Sequence, residues 1–331
     1  MYTGKKILIT GGTGTIGRML VERLLHFNPQ VIRILSRDEH KQYEMQQEYS
    51  NTSKLRFLIG DIRDLQRLNR AMEDIDFVFH LAAMKHVPSC EYNPFEAVQT
   101  NVIGTQNVIQ SAINNDVQKV LFTSTDKAIA PTNAYGATKL TAERLISAAE
   151  YQKGPKKTKF ASVRFGNVMG SRGSVIPFFK KQILENRCVP VTDLKMIRYM
   201  MTPKQAVSLL LQANEYAQGG EVFVLKMPLV KLSDLVEIIK EEMSIKYNIK
   251  EEIRIKEIGL RPGEKMYEEL MTNDESLNCI ETPYMYIIPP LFAEKDYQYE
   301  NMMAPTLQYH FDDKLITKQT LKEWVLSENL L

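Results

Sequence analysis

Two hydrophobic periods alternate through the first 165 residues. Short β-branched runs occupy Lys6–Thr10, Val31–Leu35, Leu55–Ile59, Phe77–Leu81, Lys119–Ser124 and Phe160–Arg164. Between them, apolar residues recur at helical spacing: Met19, Leu20 and Leu24; Leu65, Leu68 and Met72; Val98, Val102, Val108 and Ala112. Strands alternating with helices of this length predict βαβ units and a parallel sheet covered on both faces. Beyond Phe165 the alternation loosens. Helices are predicted over 204–217, 232–243 and 317–328, a strand over Glu221–Leu225 and a solvated strand within Lys246–Glu257. The stretch 285–315 reads as irregular.

Composition narrows the class. A chain of 331 residues tends to divide into more than one core. Its 42 Lys+Arg against 40 Asp+Glu leave a net charge of +2, without the basic excess expected of a nucleic-acid or membrane-surface protein. Cys90, Cys188 and Cys279 are isolated and odd in number, so a reducing compartment is expected, with neither a disulfide framework nor a zinc site. The five histidines show no ligand spacing, and no metal is expected. Every apolar run falls far short of the roughly 20 residues that span a bilayer, so no membrane insertion and a cytoplasmic location are expected.

The first strand leads into Thr10-Gly11-Gly12-Thr13-Gly14-Thr15-Ile16-Gly17. Glycines at this spacing permit a tight turn, close approach of a pyrophosphate, and a helix whose N-terminal N–H groups face it. The fold expected is therefore α/β: a Rossmann-type doubly wound parallel sheet with a smaller, mixed α/β C-terminal substrate lobe. Residues 1–165 form the cofactor domain, rejoined by 195–223, and 166–331 are mainly the substrate lobe. After the second strand come Ser36, Arg37 and Asp38, with Lys41 one helical turn on. Arg37 is a planar fork suited to a 2′-phosphate and Ser36 adds a hydroxyl, which favours NADP; Asp38 keeps NAD open. Asp61 ends the third strand, where it can accept from an adenine amino group or cap the next helix, a role Asp64 can also fill.

Tyr135 and Lys139 stand one helical turn apart on one face. An ammonium beside a phenol lowers its pKa and lets tyrosine act as a base near neutrality, and Lys139 can also hold a ribose hydroxyl. Together with Asp61, His80-Leu81-Ala82-Ala83 and Ser124-Thr125, these motifs resemble the extended short-chain dehydrogenase/reductases that act on nucleotide sugars. Narrower motifs resemble the inverting UDP-N-acetylglucosamine 4,6-dehydratases. They are Ala83–Pro88 with Glu91-Tyr92-Asn93-Pro94, Thr125-Asp126-Lys127-Ala128, Arg164–Val175 and Arg261-Pro262-Gly263-Glu264-Lys265. The resemblance runs from about residue 5 to about residue 270.

The resemblance implies a catalytic set of Asp126, Lys127, Tyr135 and Lys139. Tyr135 takes the 4-hydroxyl proton; Lys127, aided by Tyr135, removes the carbon 5 proton; and Asp126 protonates the departing 6-hydroxyl. The split between the adjacent Asp and Lys stays open, because they titrate as a pair. Tyrosine at position 135 points to the inverting branch. The cofactor set comprises Gly11, Thr13, Gly14, Thr15, Ile16, Gly17, Ser36, Arg37, Lys41, Asp61, Ile62, Ala82, Tyr135 and Lys139. Lys85, Thr125, Asn167, Arg198 and Arg261 are the implied contacts to a UDP-sugar, the two arginines on its phosphates. A homo-oligomer is implied as well. The alternatives are a UDP-sugar 4-epimerase, a retaining 4,6-dehydratase and, outside the enzymes, a non-catalytic NADP-binding regulator.

Overall fold

The computed structural model describes residues 1–292, 297–299, 302 and 315–331. Its first half follows the alternation: β1 (Lys6–Thr10), α1 (Thr15–Leu25), β2 (Val31–Ser36), α2 (Glu39–Glu48), β3 (Leu55–Ile59), α3 (Leu65–Met72) and β4 (Phe77–His80). Short helices α4 (Val87–Tyr92) and α5 (Pro94–Ala97) lead through a π-helical turn at Val98–Ile103 into α6 (Gly104–Asn114). Next come β5 (Lys119–Thr123), a tight helical turn at Asp126–Ala128, α7 (Ala134–Gln152) and β6 (Lys159–Arg164). The six expected strands fall within a residue of their predicted ends.

The second half opens with β7 (Asn167–Val168), α8 (Val175–Asn186), β8 (Cys188–Val191), β9 (Ile197–Met201), α9 (Pro203–Tyr216) and β10 (Val222–Leu225). It continues through β11 (Leu229–Lys231), α10 (Leu232–Lys246), β12 (Arg254–Glu257), α11 (Asn273–Asn278), β13 (Ile280–Glu281), β14 (Met285–Ile288) and α12 (Lys318–Ser327). Two expectations change here. Only Arg254–Glu257 of the stretch 246–257 is strand: α10 ends at Lys246 and a turn and irregular chain fill 247–253; all four β12 residues are exposed. The stretch 285–315 lies partly outside the described residues, and its start is the fully buried strand β14.

Among the described residues, nine strands form the large sheet, in the order β13-β14-β10-β6-β5-β4-β1-β2-β3. From β3 to β10 all pairs are parallel; β14 adds antiparallel to β10, and β13, antiparallel to β14, forms the other edge. The strand order reverses at β1, between β2 and β4, which opens a crevice at the carboxyl ends of the strands. Leu20, Val21 and Leu24 of α1 bury one stripe on the sheet, and α9 packs beside them. Smaller sheets, β11-β9-β7 and β12-β8, belong to a second core. Ile176, Phe179, Ile183, Leu235, Ile239, Leu321 and Val325 fill that core. Only two residues separate β6 in the large sheet from β7 in the small one, so Phe165-Gly166 is where the chain crosses between the two sheets. Among the described residues, no helix is long and apolar enough to cross a membrane.

Candidate active site

The crevice beyond β1 is a groove of about 820 Å³. Gly11, Thr13, Gly14, Thr15, Ile16, Gly17, Ser36, Arg37, Lys41, Asp61, Ile62 and Ala82 all line it. Its shape depends on missing side chains. A Cβ on Gly17 would meet Gly12 Cα at 2.5 Å, and Gly11 turns with φ +72° where a Cβ would press on Ala82 at 2.9 Å. The N-terminus of α1 carries no side-chain cap and no acidic residue in its first turn, leaving its N–H groups open to an anion. A dinucleotide pyrophosphate fits this cradle.

The two acidic candidates at the groove's far end separate by role. Asp64 caps α3, accepting from Arg67 N–H at 2.9 Å, which frees Asp61 to face the groove. Burial works to raise the Asp61 carboxyl, but its bonds to Arg63 and the nearby Arg37 outweigh this and lower it. Asp38 caps α2, accepting from Lys41 N–H at 3.0 Å, and also pairs with the Lys41 ammonium. Arg37 stays largely exposed, with its nearest carboxylate, Asp61, at 3.7 Å.

Next to the groove lies a cavity of about 290 Å³ lined by Lys85, Thr125, Lys127, Tyr135, Lys139 and Asn167 among others. Ile16, Leu81, Ala83 and Lys85 line both spaces. Tyr135 stands in the first turn of α7, fixed by the N-cap Asn133, which accepts from Gly136 N–H at 2.8 Å. Burial raises the phenol above its ordinary value, while a hydrogen bond with Thr125 and the charge of Lys127 pull it down. Lys139 instead lies 4.0 Å over the Phe122 ring and donates to Thr123 O. Burial lowers it to about 7, against the upward pull of Glu143. The cation acting on the phenol is thus Lys127, where helical spacing alone pointed to Lys139.

Asp126 sits behind this wall, fully buried and outside the cavity lining. Its Oδ1 accepts from Thr125 Oγ1 and from Lys127 Nζ, both at 3.0 Å. A second carboxylate, which the sequence pattern did not single out, faces the same ammonium: Glu268 Oε1 lies 3.7 Å from Lys127 Nζ. His80 is a core residue, with its ring nitrogens 2.7 Å from Thr10 Oγ1 and 3.1 Å from Thr105 Oγ1. Burial, with a smaller push from Lys139, lowers it to about 3, so it is neutral.

A third cavity of about 500 Å³ shares Asn167, Val168, Gly173 and Ser174 with the second, and Arg198 and Arg261 line it. Arg261 is exposed at its edge. Arg198 is buried and gives its donors to Ile197 O, Met266 O and Lys265 O at 2.7–2.9 Å, bracing the segment that carries Arg261 and Glu268. Arg172 is the other residue missed. Its N–H donates to Thr15 Oγ1 at 3.1 Å, tying the second lobe to the glycine turn, and Lys85 Nζ donates to its carbonyl at 2.9 Å.

Residues 7–290 match the family described as polysaccharide biosynthesis protein. An uncharacterized membrane protein of Methanocaldococcus jannaschii is 52% identical over 323 residues, covering 97% of this chain and 95% of that one. The inverting UDP-N-acetylglucosamine 4,6-dehydratase of Campylobacter jejuni is 45% identical over 300 residues, covering 89% and 86%. A UDP-glucose 4-epimerase of Rickettsia conorii is 41% identical over 293 residues, covering 87% and 84%. In three dimensions, the crystal structure of Pen from Bacillus thuringiensis superposes with a TM-score of 0.93 at 54% identity, covering 100% and 99%.

Proposed function

The chain belongs to the polysaccharide biosynthesis family of extended short-chain dehydrogenase/reductases, and on that footing we propose that it is a UDP-N-acetylglucosamine 4,6-dehydratase that inverts carbon 5 and uses NADP. The observation that carries this reading is one cavity holding Tyr135, Thr125 and Lys127, with Asp126 behind them. It opens on a dinucleotide groove on one side and on the cavity edged by Arg261 on the other.

When bound, the nicotinamide supplies a hydride acceptor that gives the hydride back within the same turnover. Tyr135 takes the 4-hydroxyl proton as carbon 4 becomes a ketone, and Lys139 holds a ribose hydroxyl of the cofactor. The ketone acidifies the carbon 5 proton. Elimination adds two proton transfers, one away from carbon 5 and one onto the departing 6-hydroxyl, and Asp126 and Lys127 supply groups for that work. Reprotonation of carbon 5 from the other face gives inversion. Arg261 meets the diphosphate as a two-pronged donor, Lys85 and Asn167 contact the sugar, and Arg198 steadies the segment carrying Arg261.

Incubation with UDP-N-acetylglucosamine tests the reading: mass spectrometry is expected to find a product lighter by one water, and NMR an inverted carbon 5. The relatives named as 4-epimerases favour a second reading, since epimerisation needs only a base such as Tyr135. A product inverted only at the 4-hydroxyl would replace the first reading with the second.

The exposed Arg37 beside Ser36 supports NADP, because the Asp38 carboxylate that would hold ribose hydroxyls is already engaged by Lys41. Arg37→Ala is expected to weaken NADP binding about 10- to 100-fold, the worth of a charge-assisted hydrogen bond, with NAD binding little changed. Calorimetric titration with both cofactors checks this; equal losses for the two would remove Arg37 from 2′-phosphate recognition.

A further inference from the structure

Lys127 Nζ lies 3.0 Å from Asp126 Oδ1 and 3.7 Å from Glu268 Oε1. Both carboxylates are buried, Asp126 fully and Glu268 at 5% exposure. Each also keeps a second oxygen, Asp126 Oδ2 and Glu268 Oε2, buried without a hydrogen-bond partner. An ion pair needs one carboxylate; burying a second with an unpaired oxygen is costly unless the cluster uses it. The other charges around this cluster are Arg198, which faces both carboxylates, Lys265, which faces Glu268, and the Tyr135 phenol, which faces Lys127. Burial works to strip the Lys127 proton, but Asp126 and Glu268 outweigh it and hold the amine above its ordinary value. An amine so held carries a proton to give and no free lone pair with which to take one from carbon.

Building on the dehydratase reading, we propose that Glu268 is a positioning residue for the elimination: with Asp126 it keeps Lys127 an ammonium at the cavity wall, and Lys127 protonates the departing 6-hydroxyl. The roles first assigned to Lys127 and Asp126 are thereby revised. In this step a Lys127 N–H bond breaks as an O6–H bond forms, and the C6–O6 bond breaks with its electron pair leaving on water. The pair released from the C5–H bond becomes the C5–C6 double bond. Thr125 Oγ1 donates to Asp126 Oδ1 and also hydrogen-bonds Tyr135, so the cluster is continuous with the base of the first step. The proton Tyr135 takes from O4 passes through Thr125 to Asp126, and from Asp126 to Lys127 once the ammonium has given its own proton to O6. Tyr135, its proton handed on through Thr125, takes the carbon 5 proton and loses it to solvent as another arrives on the opposite face. One proton leaves the sugar at O4 and departs in water, which is the stoichiometry of dehydration.

Glu268→Gln in the full chain tests the assignment, with NADP and UDP-N-acetylglucosamine in H2O and D2O. The alkaline limb of kcat is expected to move to lower pH by about one unit or more, since the ammonium loses a neighbouring charge. Recovered substrate is expected to gain deuterium at carbon 5 faster than product forms, with KM little changed, because proton abstraction survives while elimination slows. Glu268→Asp keeps the charge at a longer reach and is expected to move the limb the same way by less; it carries the test if the Gln variant does not fold. An unmoved limb, with label and product falling in parallel, would overturn the proposal. Wild-type protein that yields no dehydrated product would instead overturn the dehydratase reading beneath it.

Discussion

Replacing Tyr135 with Phe is expected to cut turnover of UDP-N-acetylglucosamine by about 10²- to 10⁴-fold, the usual contribution of a placed general base. The substitution removes one oxygen and leaves the ring in its half-buried seat on α7. The N-cap at Asn133 is untouched, and Thr125 keeps Asp126 as a partner. Folding is therefore expected to stay close to wild type, and cofactor affinity to fall by no more than the worth of one hydrogen bond. The loss falls on the first step, because a ketone at carbon 4 cannot form until its hydroxyl proton has somewhere to go. Both the dehydratase and the epimerase readings need that step, so both products are expected to vanish together. Mass spectrometry of the sugar pool, alongside thermal unfolding and an NADP titration, separates this from misfolding. Unchanged turnover in a folded Tyr135→Phe protein would move the base elsewhere.

The first half of the fold was legible because each strand is a compact β-branched run bounded by a turn, and each crossover helix carries one apolar stripe. Helix α8 was missed although Ile176, Phe179 and Ile183 follow helical spacing. Pro177 and Phe178, set between the first two, blur the stripe, and its burial depends on β8 and on α10 far along the chain. The glycine turn, Arg37 and the Tyr135 region could be named as candidates because local spacing carries the chemistry expected of them. Asp61 and Asp64 were ambiguous until the cap of α3 chose one of them. Glu268 had no local signal: it is one carboxylate among the charges of 261–269, and packing of that segment against Asp126 and Lys127 is what gives it meaning. Lys139 shows the converse. Its helical phase is right, but α7 presses it onto β5, so its ammonium meets Phe122 and Thr123 rather than a phenol.

A buried ion cluster beside the site sets the second large effect. Arg164, at the end of β6, is fully buried. It donates to Glu143 at 2.5 and 3.2 Å, to Glu275 at 2.8 and 3.1 Å and to Leu270 O at 3.0 Å. This joins α7, α11 and the segment that ends the Glu268 stretch. Glu143→Ala is expected to lower stability by about 3–5 kcal/mol, because it strands part of a buried guanidinium, and to lower the melting temperature by on the order of 10 °C. Glu143 also stands one turn beyond Lys139 and pulls its proton affinity upward. Without it, Lys139 is expected to be neutral at pH 7, so NADP binding should weaken as pH rises from 6 to 8 more steeply than in wild type. Acid acts on the same cluster through Glu275. Burial works to raise that carboxyl, but Arg164 outweighs it and lowers it below its ordinary 4.5. A carboxyl lower in the folded state stabilises the fold above its unfolded value, and that share is lost as pH falls through the folded value. Denaturant unfolding at pH 7 checks the substitution, and unfolding below pH 4.5 checks the acid limb. A loss under about 1 kcal/mol for Glu143→Ala would mean that Glu275 and Leu270 O alone satisfy Arg164.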